Sequence, residues 1–446
     1  MLSAADLKVP NLGERKQLSP LNFSTVRGDG IGNFILDETK VRAQIELRPG
    51  AEKRDDLFFE KAGPREHLFF EPAKTKAAIV TCGGICPGVN NVIRALTLEL
   101  HHHYGIREIL GIRYGFQGLN PAVAAPPVLL DPDFVEDIHR EGGTVLGSSR
   151  GAQDPSLIVD FLRDEGIDIL FCIGGDGTLR GAHAIVGEVD RRKAKIAVVG
   201  IPKTIDNDIP FVRKTFGYST ALEKAKEVIE CAHVESKGAR RGIGLVKLMG
   251  RDAGFIAAGA TVASQEVNFT LIPEVAFDMD GEQGFLRALE RRIDERGHAV
   301  IVVAEGAGQH LFRGDAGRDA SGNVEHHDIG AHLAGAIPAH FESAGNPVTL
   351  KYFDPSYVIR SVPANGEDSV FCNSFARHAA HCGMAGKTDV TIGYFHDIFL
   401  HVPISLVTSR RKCMSPEGRL WMSVLESTGQ PATFGRHIVE CEPFEF

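Results

Sequence analysis

The chain has 446 residues, of which 43% are hydrophobic and 24% charged, and a formal net charge of −9. That length exceeds what one ordinary core accommodates, so two domains with additions are expected. The negative balance excludes a global field that would gather nucleic-acid phosphates. No apolar run approaches the roughly 20 residues needed to cross a bilayer, so neither a nucleic-acid nor a membrane partner is expected.

Residues 1–74 carry repeated turn signals (PNLGER, RGDGIGN, RPGAEKRDD) and few periodic segments, and are read as an N-terminal extension wrapping the body. The first residues lack the basic-then-apolar order of a signal peptide, and a cytoplasmic protein is expected. From Lys76 onward, short apolar runs ending in glycine or aspartate alternate with amphipathic stretches, the pattern of parallel βα units. Three runs come early: AAIVTCGGICPG (77–88), DILFCIGGDGT (168–178) and IAVVGIPKTIDND (196–208). Three more follow: GIGLVKLMGRDAG (242–254), NFTLIPEV (268–275) and AVIVVAEGAG (299–308). The expected fold class is therefore α/β, with two doubly wound Rossmann-like domains, an interdomain active-site cleft, an N-terminal extension and a C-terminal tail. The expected divisions are 1–74, 75–215 completed by parts of 361–408, 216–360, and a tail 409–446 that packs back with Trp421. HHHY (101–104) reads as a solvated helix end, and the polar stretch within 308–342 as a loop or lid. Of eight scattered cysteines only Cys82 and Cys86 lie close, without a second pair at zinc-finger spacing, so buried thiols are expected.

Several strand ends carry chemistry. Gly83, Gly84 and Gly88 precede a helix starting near Val89, where bare backbone N–H groups and the helix dipole favour an anion. The stretch fits neither GxxxxGK[ST] nor GxGxxG. In GGDGT (174–178), glycines surround Asp176, which suits a magnesium–phosphate group, and Thr178 is placed to cap the next helix. TIDND (204–208) adds two acids behind Lys203; one carboxylate can take a proton from an attacking hydroxyl and another can support the metal. Arg150, Arg213, Lys214 and Arg251 follow glycine turns or strand ends, where guanidinium forks suit phosphate. The residues alone point to a magnesium-dependent phosphotransferase acting on a phosphorylated hydroxyl compound in an interdomain cleft.

With GGDGT, PKTIDND and MGR in this order, the sequence resembles the phosphofructokinase family from about Ala77 to at least Pro403. PREHLFFEP, TCGGICPG, LGSSRG and KLMGRDAGFIA resemble its long-chain branch. The resemblance implies transfer of a phosphoryl group from ATP, with Mg2+, to the 1-hydroxyl of fructose 6-phosphate. It implies a nucleotide-binding domain over 75–215, a sugar-phosphate-binding domain over 216–360, and a homo-oligomer, dimer or tetramer. Asp206 matches the general base, Asp176 the Mg2+ residue and Asp208 a supporting acid. Gly84, Arg150, Gly151 and Gly175, Asp176, Gly177 and Thr178 match the nucleotide-phosphate site, with Arg150 also steadying the transferring group. Thr204, Ile205, Asp206, Met249, Gly250, Arg251 and Glu305 match sugar-binding positions; Tyr357 and Arg360 match the grip on the 6-phosphate. Lys351 stands where short-chain members carry an arginine reaching across a subunit interface; the position of their second such arginine is Gly242, beside Arg241. Glu274 resembles an effector-site position of short bacterial members, from which no ligand is drawn.

The donor markers disagree. Pyrophosphate-dependent members usually place aspartate where this chain has Gly177, but they share a lysine at the position of Lys203. The open space at Gly177 outweighs the extra cation, so ATP is the expected donor and Lys203 the cation that neutralises the transferring group. The alternatives are pyrophosphate as donor, an NAD or lipid kinase sharing the GGDGT loop, and a non-catalytic sugar-phosphate sensor. The last two fit poorly with the presence of PKTIDND and MGR and of all three acids.

Overall fold

A computed structural model describes residues 2–46, 49, 54–314, 316–318 and 324–435. Two larger sheets organise the chain; the six runs marked in the sequence supply Lys76–Thr81, Ile169–Gly174 and Ala197–Pro202 of one and Gly242–Leu248, Phe269–Leu271 and His298–Ala304 of the other, and the remaining strands carry no such mark. The larger runs in the order Lys40–Arg42, Phe58–Lys61, Ile398–Pro403, Val390–Phe395, Ala197–Pro202, Ile169–Gly174, Lys76–Thr81, Glu108–Ile112, Val128–Leu129. Its middle five strands, Val390–Phe395 through Glu108–Ile112, are parallel, and antiparallel strands extend both sides. The smaller sheet is parallel throughout, in the order Phe269–Leu271, His298–Ala304, Gly242–Leu248, Thr349–Phe353. Every residue of Ile169–Gly174 and Ala197–Pro202 is buried, as expected of parallel strands covered by helices on both faces.

Register sets the strand ends level. Gly174 pairs with Pro202 and Thr81 with Ile173, while Leu248 pairs with Ala304. The loops that follow are therefore neighbours: Cys82–Gly84, Gly175–Thr178 and Lys203–Asp208 on one side, Met249–Arg251 and Glu305 on the other. There are two apolar cores: one, around Ile79, Phe171 and Phe375, extends to one face of the smaller sheet through Val246, Val300 and Val302, and the other, around Phe285, Ile301 and Phe341, covers the opposite face of that sheet.

The N-terminal residues are more than a wrapping. Phe58–Lys61 pairs with Ile398–Pro403 and so belongs to the main sheet. Behind it, Glu60 receives Arg65 Nη2 at 2.9 Å, His401 Nδ1 at 3.0 Å and Lys387 Nζ at 2.8 Å. The bonds from His401 and Lys387 hold the Glu60 carboxyl well below the usual carboxylate range despite its burial. The stretch HHHY closes a helical segment, with His102 and His103 exposed and Tyr104 buried. Residues 308–342 are only partly loop, because a helix starts at Ile329, capped by Asp328 Oδ1 accepting from Ala331 N at 3.1 Å. In the tail, Trp421 is buried on a helix spanning Arg419–Thr428. Gln430 then pairs its side-chain amide with Thr270 N and O at 2.6 and 3.2 Å, which occupies the open edge of Phe269–Leu271. Residues 436–446, the end of that tail, lie outside the described residues. Six cysteines are free thiols, five of them buried, as the sequence suggests; Cys413 departs from this and is disulfide-bonded. Among the described residues, no helix is long and apolar enough to cross a membrane.

Candidate functional site

The loops at the strand ends enclose a cavity of about 1110 Å³. Gly84, Arg150, Gly151, Gly175, Asp176, Gly177, Thr178, Lys203, Thr204, Ile205, Asp206, Asp208, Met249, Arg251, Glu305, Tyr357 and Arg360 all line it. Segments up to 276 positions apart in sequence, from Gly84 to Arg360, thus meet in one cleft at the carboxyl ends of both sheets. Ligands of open α/β sheets bind at such a place.

The TIDND turn shows how a short sequence aims two acids the same way. Thr204 Oγ1 accepts a hydrogen bond from Asp206 N at 3.0 Å. Asn207 then takes a left-handed φ of 56°, which asparagine tolerates, and its Oδ1 accepts from Thr215 N at 3.1 Å. With Asn207 turned inward, Asp206 and Asp208 on either side both face the cavity. Asp206 Oδ1 is buried and has no hydrogen-bond partner among the described residues. Loss of hydration, then the neighbouring carboxylates of Asp208 and Glu305, push its pKa up to about 8, against the pull of Arg251 and Lys203. An unpartnered buried carboxylate is costly, and a proton donor or a cation would relieve it.

The GGDGT loop begins a sixteen-residue helix, Asp176–Arg191. Gly175, not Thr178, is its N-cap, and no side chain caps it. Thr178 is buried against Gly174 instead, where a Cβ on that glycine would stand 2.1 Å from Thr178 Oγ1. The first N–H groups of this helix are thus left to the cavity, a ready cradle for an anion. A Cβ on Gly177 would meet nothing within 4 Å, so the cavity is open there. Asp176 is raised above the usual carboxylate range, first by burial and also by Asp208, while Arg180 and Arg411 oppose the rise.

Three cations converge on Gly84. Lys203 Nζ donates to its carbonyl oxygen. A Cβ on Gly84 would stand 3.3 Å from Arg360 Nη1 and 3.9 Å from Arg150 Nη2. Lys203 is buried, and loss of hydration lowers its affinity for the proton. Arg360 lies over the exposed ring of Tyr357, 5.0 Å from its centroid, and its Nε is buried without a partner among the described residues. Across the cleft, Glu305 Oε1 accepts from Arg251 N at 2.8 Å and, more weakly, from Gly250 N at 3.4 Å. Gly250 itself does not line the cavity; its φ of 148° forms the turn that presents Arg251.

One expected residue lies elsewhere. Lys351 is exposed on the edge strand Thr349–Phe353 and pairs with Glu235, outside the cavity. Arg241 is likewise engaged away from the cleft, with Asp294 at 2.9 Å, and at Gly242 a Cβ would stand 2.0 Å from Ser236 O. Glu274 is fully buried, accepting from Gly254 N at 3.0 Å and Met414 N at 2.9 Å, so it joins backbone segments and faces no ligand. Sequence reasoning missed Arg180, paired with Asp176 one helical turn back, and Lys247, 2.8 Å from Asp354. Both line the cavity. Arg180 was findable at i+4 from a singled-out acid; Lys247 looks like an ordinary strand lysine until the fold is known.

Carboxylates at Asp176 and Asp208 are the hard oxygen donors that could hold Mg2+. No group of three or more His, Cys, Asp or Glu able to hold a metal occurs among the described residues. In phosphate sites magnesium is usually held by one or two carboxylates together with waters and phosphate oxygens.

Anion cradle, paired acids and converging cations define a phosphate-handling α/β protein whose site lies at the carboxyl ends of the parallel strands of two sheets. The model of the Phosphofructokinase family matches residues 76–382. An ATP-dependent 6-phosphofructokinase of Borreliella burgdorferi is 46% identical over 434 residues, covering 96% of this chain and 97% of its own. The enzyme of the same name from Amycolatopsis methanolica is 46% identical over 447 residues, covering 96% of each chain. A solved structure titled a pyrophosphate-dependent phosphofructokinase, from Marinobacter aquaeolei, superposes with a TM-score of 0.66 at 20% identity. It covers 83% of this chain and all of that one, which speaks to the fold alone. The chain belongs to the phosphofructokinase family.

Proposed function

We propose that this protein phosphorylates the 1-hydroxyl of D-fructose 6-phosphate with ATP and Mg2+, giving fructose 1,6-bisphosphate and ADP, the glycolytic reaction. The observation that carries the reading is the unpartnered carboxylate of Asp206 facing the three cations around Gly84. Asp206 takes the proton from the sugar 1-hydroxyl, a role worth roughly 10²–10⁴-fold in rate. Its raised pKa makes the carboxylate a stronger base, which suits proton abstraction near neutral pH. Lys203, Arg150 and Arg360 neutralise the transferring phosphoryl group, and the free N–H groups at the start of Asp176–Arg191 hold donor phosphates. Thr204 fixes the base turn, while Glu305 positions Arg251 for the sugar phosphate. Asp176 and Asp208 are the residues that would hold Mg2+, which when bound neutralises phosphate charge.

ATP as donor is supported by the names of the sequence relatives and by the open space at Gly177. The specific feature favouring pyrophosphate is Lys203, and a donor comparison decides between them. We assign nucleotide binding to 75–215 with strands from 361–408, and sugar-phosphate binding to 216–360. A cytoplasmic homo-oligomer is the setting; in it the exposed Lys351 would serve, if at all, a neighbouring subunit. The test is a coupled assay with fructose 6-phosphate and magnesium ATP, with the product identified by phosphorus NMR. Formation of the 1,6-bisphosphate supports the reading; absence of any sugar phosphorylation overturns it.

A further inference from the structure

Residues 408–418 join the short helix Ile404–Val407 to the helix Arg419–Thr428. Nothing in their sequence, TSRRKCMSPEG, resembles a strand end or a glycine loop. Yet they run beside the acids of the cleft and are fastened on both sides of it. Toward the larger sheet, Lys412 N donates to Asp208 O at 3.0 Å, and Lys412 Nζ donates to Val212 O at 2.8 Å and Arg213 O at 3.1 Å. Toward the smaller sheet, Met414 N donates to the buried Glu274, and Lys412 Nζ lies 4.9 Å from the centroid of Phe255. The segment is thus a strap between the two halves of the site.

Arg411 sits between these anchors. It pairs with Asp252, the residue after Arg251. Its immediate neighbour Lys412 bonds the backbone of Asp208, which anchors the strap at the acid turn, although neither Arg411 nor Asp252 lines the cavity itself. Its charge acts on both Asp176 and Asp208, and it is itself disfavoured by the nearby Arg251 and Arg180. Three arginines (Arg180, Arg251 and Arg411) and three aspartates (Asp176, Asp208 and Asp252) therefore cluster near the point where donor phosphates would meet the acids. A guanidinium resting on a partly exposed carboxylate, which His326 also approaches at 3.0 Å, can leave it for a phosphate by side-chain rotation, gaining a bidentate partner of higher charge.

We propose that Arg411 is a donor-phosphate-binding residue, delivered to the cleft by this strap, and that it leaves Asp252 for the nucleotide phosphates. The proposal rests on ATP being the donor. It explains why a segment far along the chain is fastened to Asp208 on one side and Glu274 on the other.

The test uses the full-length protein and the variants Arg411→Gln and Asp252→Asn, with magnesium ADP binding by calorimetry in the absence of sugar. Wild-type turnover with ATP is measured first, so a failure of the donor assignment is seen separately. Arg411→Gln is expected to weaken magnesium ADP binding about tenfold and to raise KM for ATP, with KM for fructose 6-phosphate changed less than about twofold. Asp252→Asn, which frees Arg411, is expected to keep or tighten magnesium ADP binding. Unchanged binding in folded Arg411→Gln overturns the proposal. So does equal weakening in Asp252→Asn, which would mean that the ion pair acts only as a structural tie. If Arg411→Gln does not fold, Arg411→Lys takes its place: it keeps the charge but not the fork, a loss of about threefold is expected, and wild-type affinity overturns the proposal.

Discussion

The carboxylate of Glu305 accepts a hydrogen bond from the backbone N–H of Arg251 at 2.8 Å, tying the ends of two adjacent parallel strands together. Gly250 and Arg251 both have positive φ, 148° and 53°, so this turn is not one that the local sequence would hold unaided. Arg251 Nη2 is buried without a partner among the described residues. The acid thus aims a guanidinium with unused donor capacity into the cleft. Glu305→Ala is expected to raise KM for fructose 6-phosphate by roughly 10- to 100-fold, the range for losing hydrogen bonds to a charged group. KM for ATP should change little. Steady-state kinetics with each substrate varied checks this; an unchanged sugar KM would refute the aiming role.

Asp206→Asn should lower kcat by about 10²–10⁴-fold while fructose 6-phosphate still binds. The same variant should be more stable than the parent, with a defined pH dependence. In the folded protein Asp206 is protonated up to about pH 8, whereas in the unfolded chain it ionises near its ordinary value. The folded state therefore holds the extra proton, and its stability falls as pH rises between those two points. Asparagine removes that loss. The gain in Tm should be larger at pH 8 than at pH 5, by at least roughly 2 °C. Calorimetric scans at the two pH values decide it, and a gain that is absent or reversed would show that the carboxylate is not held in a hostile setting.

Gly177→Asp places a carboxylate where a Cβ meets nothing within 4 Å. Because like charges brought together cost several kcal/mol, kcat/KM for ATP should fall by at least about 100-fold. Use of pyrophosphate, which lacks the α-phosphate, should fall much less. Equal loss with both donors would remove the steric argument for ATP.

Glu60→Ala tests whether residues before Lys76 are integral to the fold. It leaves Lys387, Arg65 and His401, all buried, without their shared carboxylate. A loss of about 3–5 kcal/mol in unfolding free energy is expected, as when one partner of a buried ion pair is removed. Urea unfolding measures it; a change under about 1 kcal/mol would mean that the N-terminal strands are dispensable cover.

The strands read from sequence were those whose signal is local: apolar runs closed by glycine or an acid, from AAIVT to AVIVVA. Their order along the chain already brings most of the site into view, since the cleft forms from the residues just past each strand. Phe58–Lys61 was read as extension because two of its four residues are charged; only pairing with Ile398–Pro403 makes it a strand. Arg411 and Lys247 were illegible for a related reason. Their place is set by hydrogen bonds and register from distant segments, such as Lys412 N to Asp208 O, which leave no spacing to detect. Thr178 shows the converse: its position suggests a cap, but tight packing on Gly174 uses it otherwise.

The account turns on phosphoryl transfer from ATP to fructose 6-phosphate. The most direct measurement is the initial rate of fructose 1,6-bisphosphate formation by the purified protein, with Mg2+ and either ATP or pyrophosphate at equal concentration. The account predicts turnover with ATP at least about 100-fold faster than with pyrophosphate, the reverse of the change expected on filling Gly177. Turnover with pyrophosphate and none with ATP would contradict it.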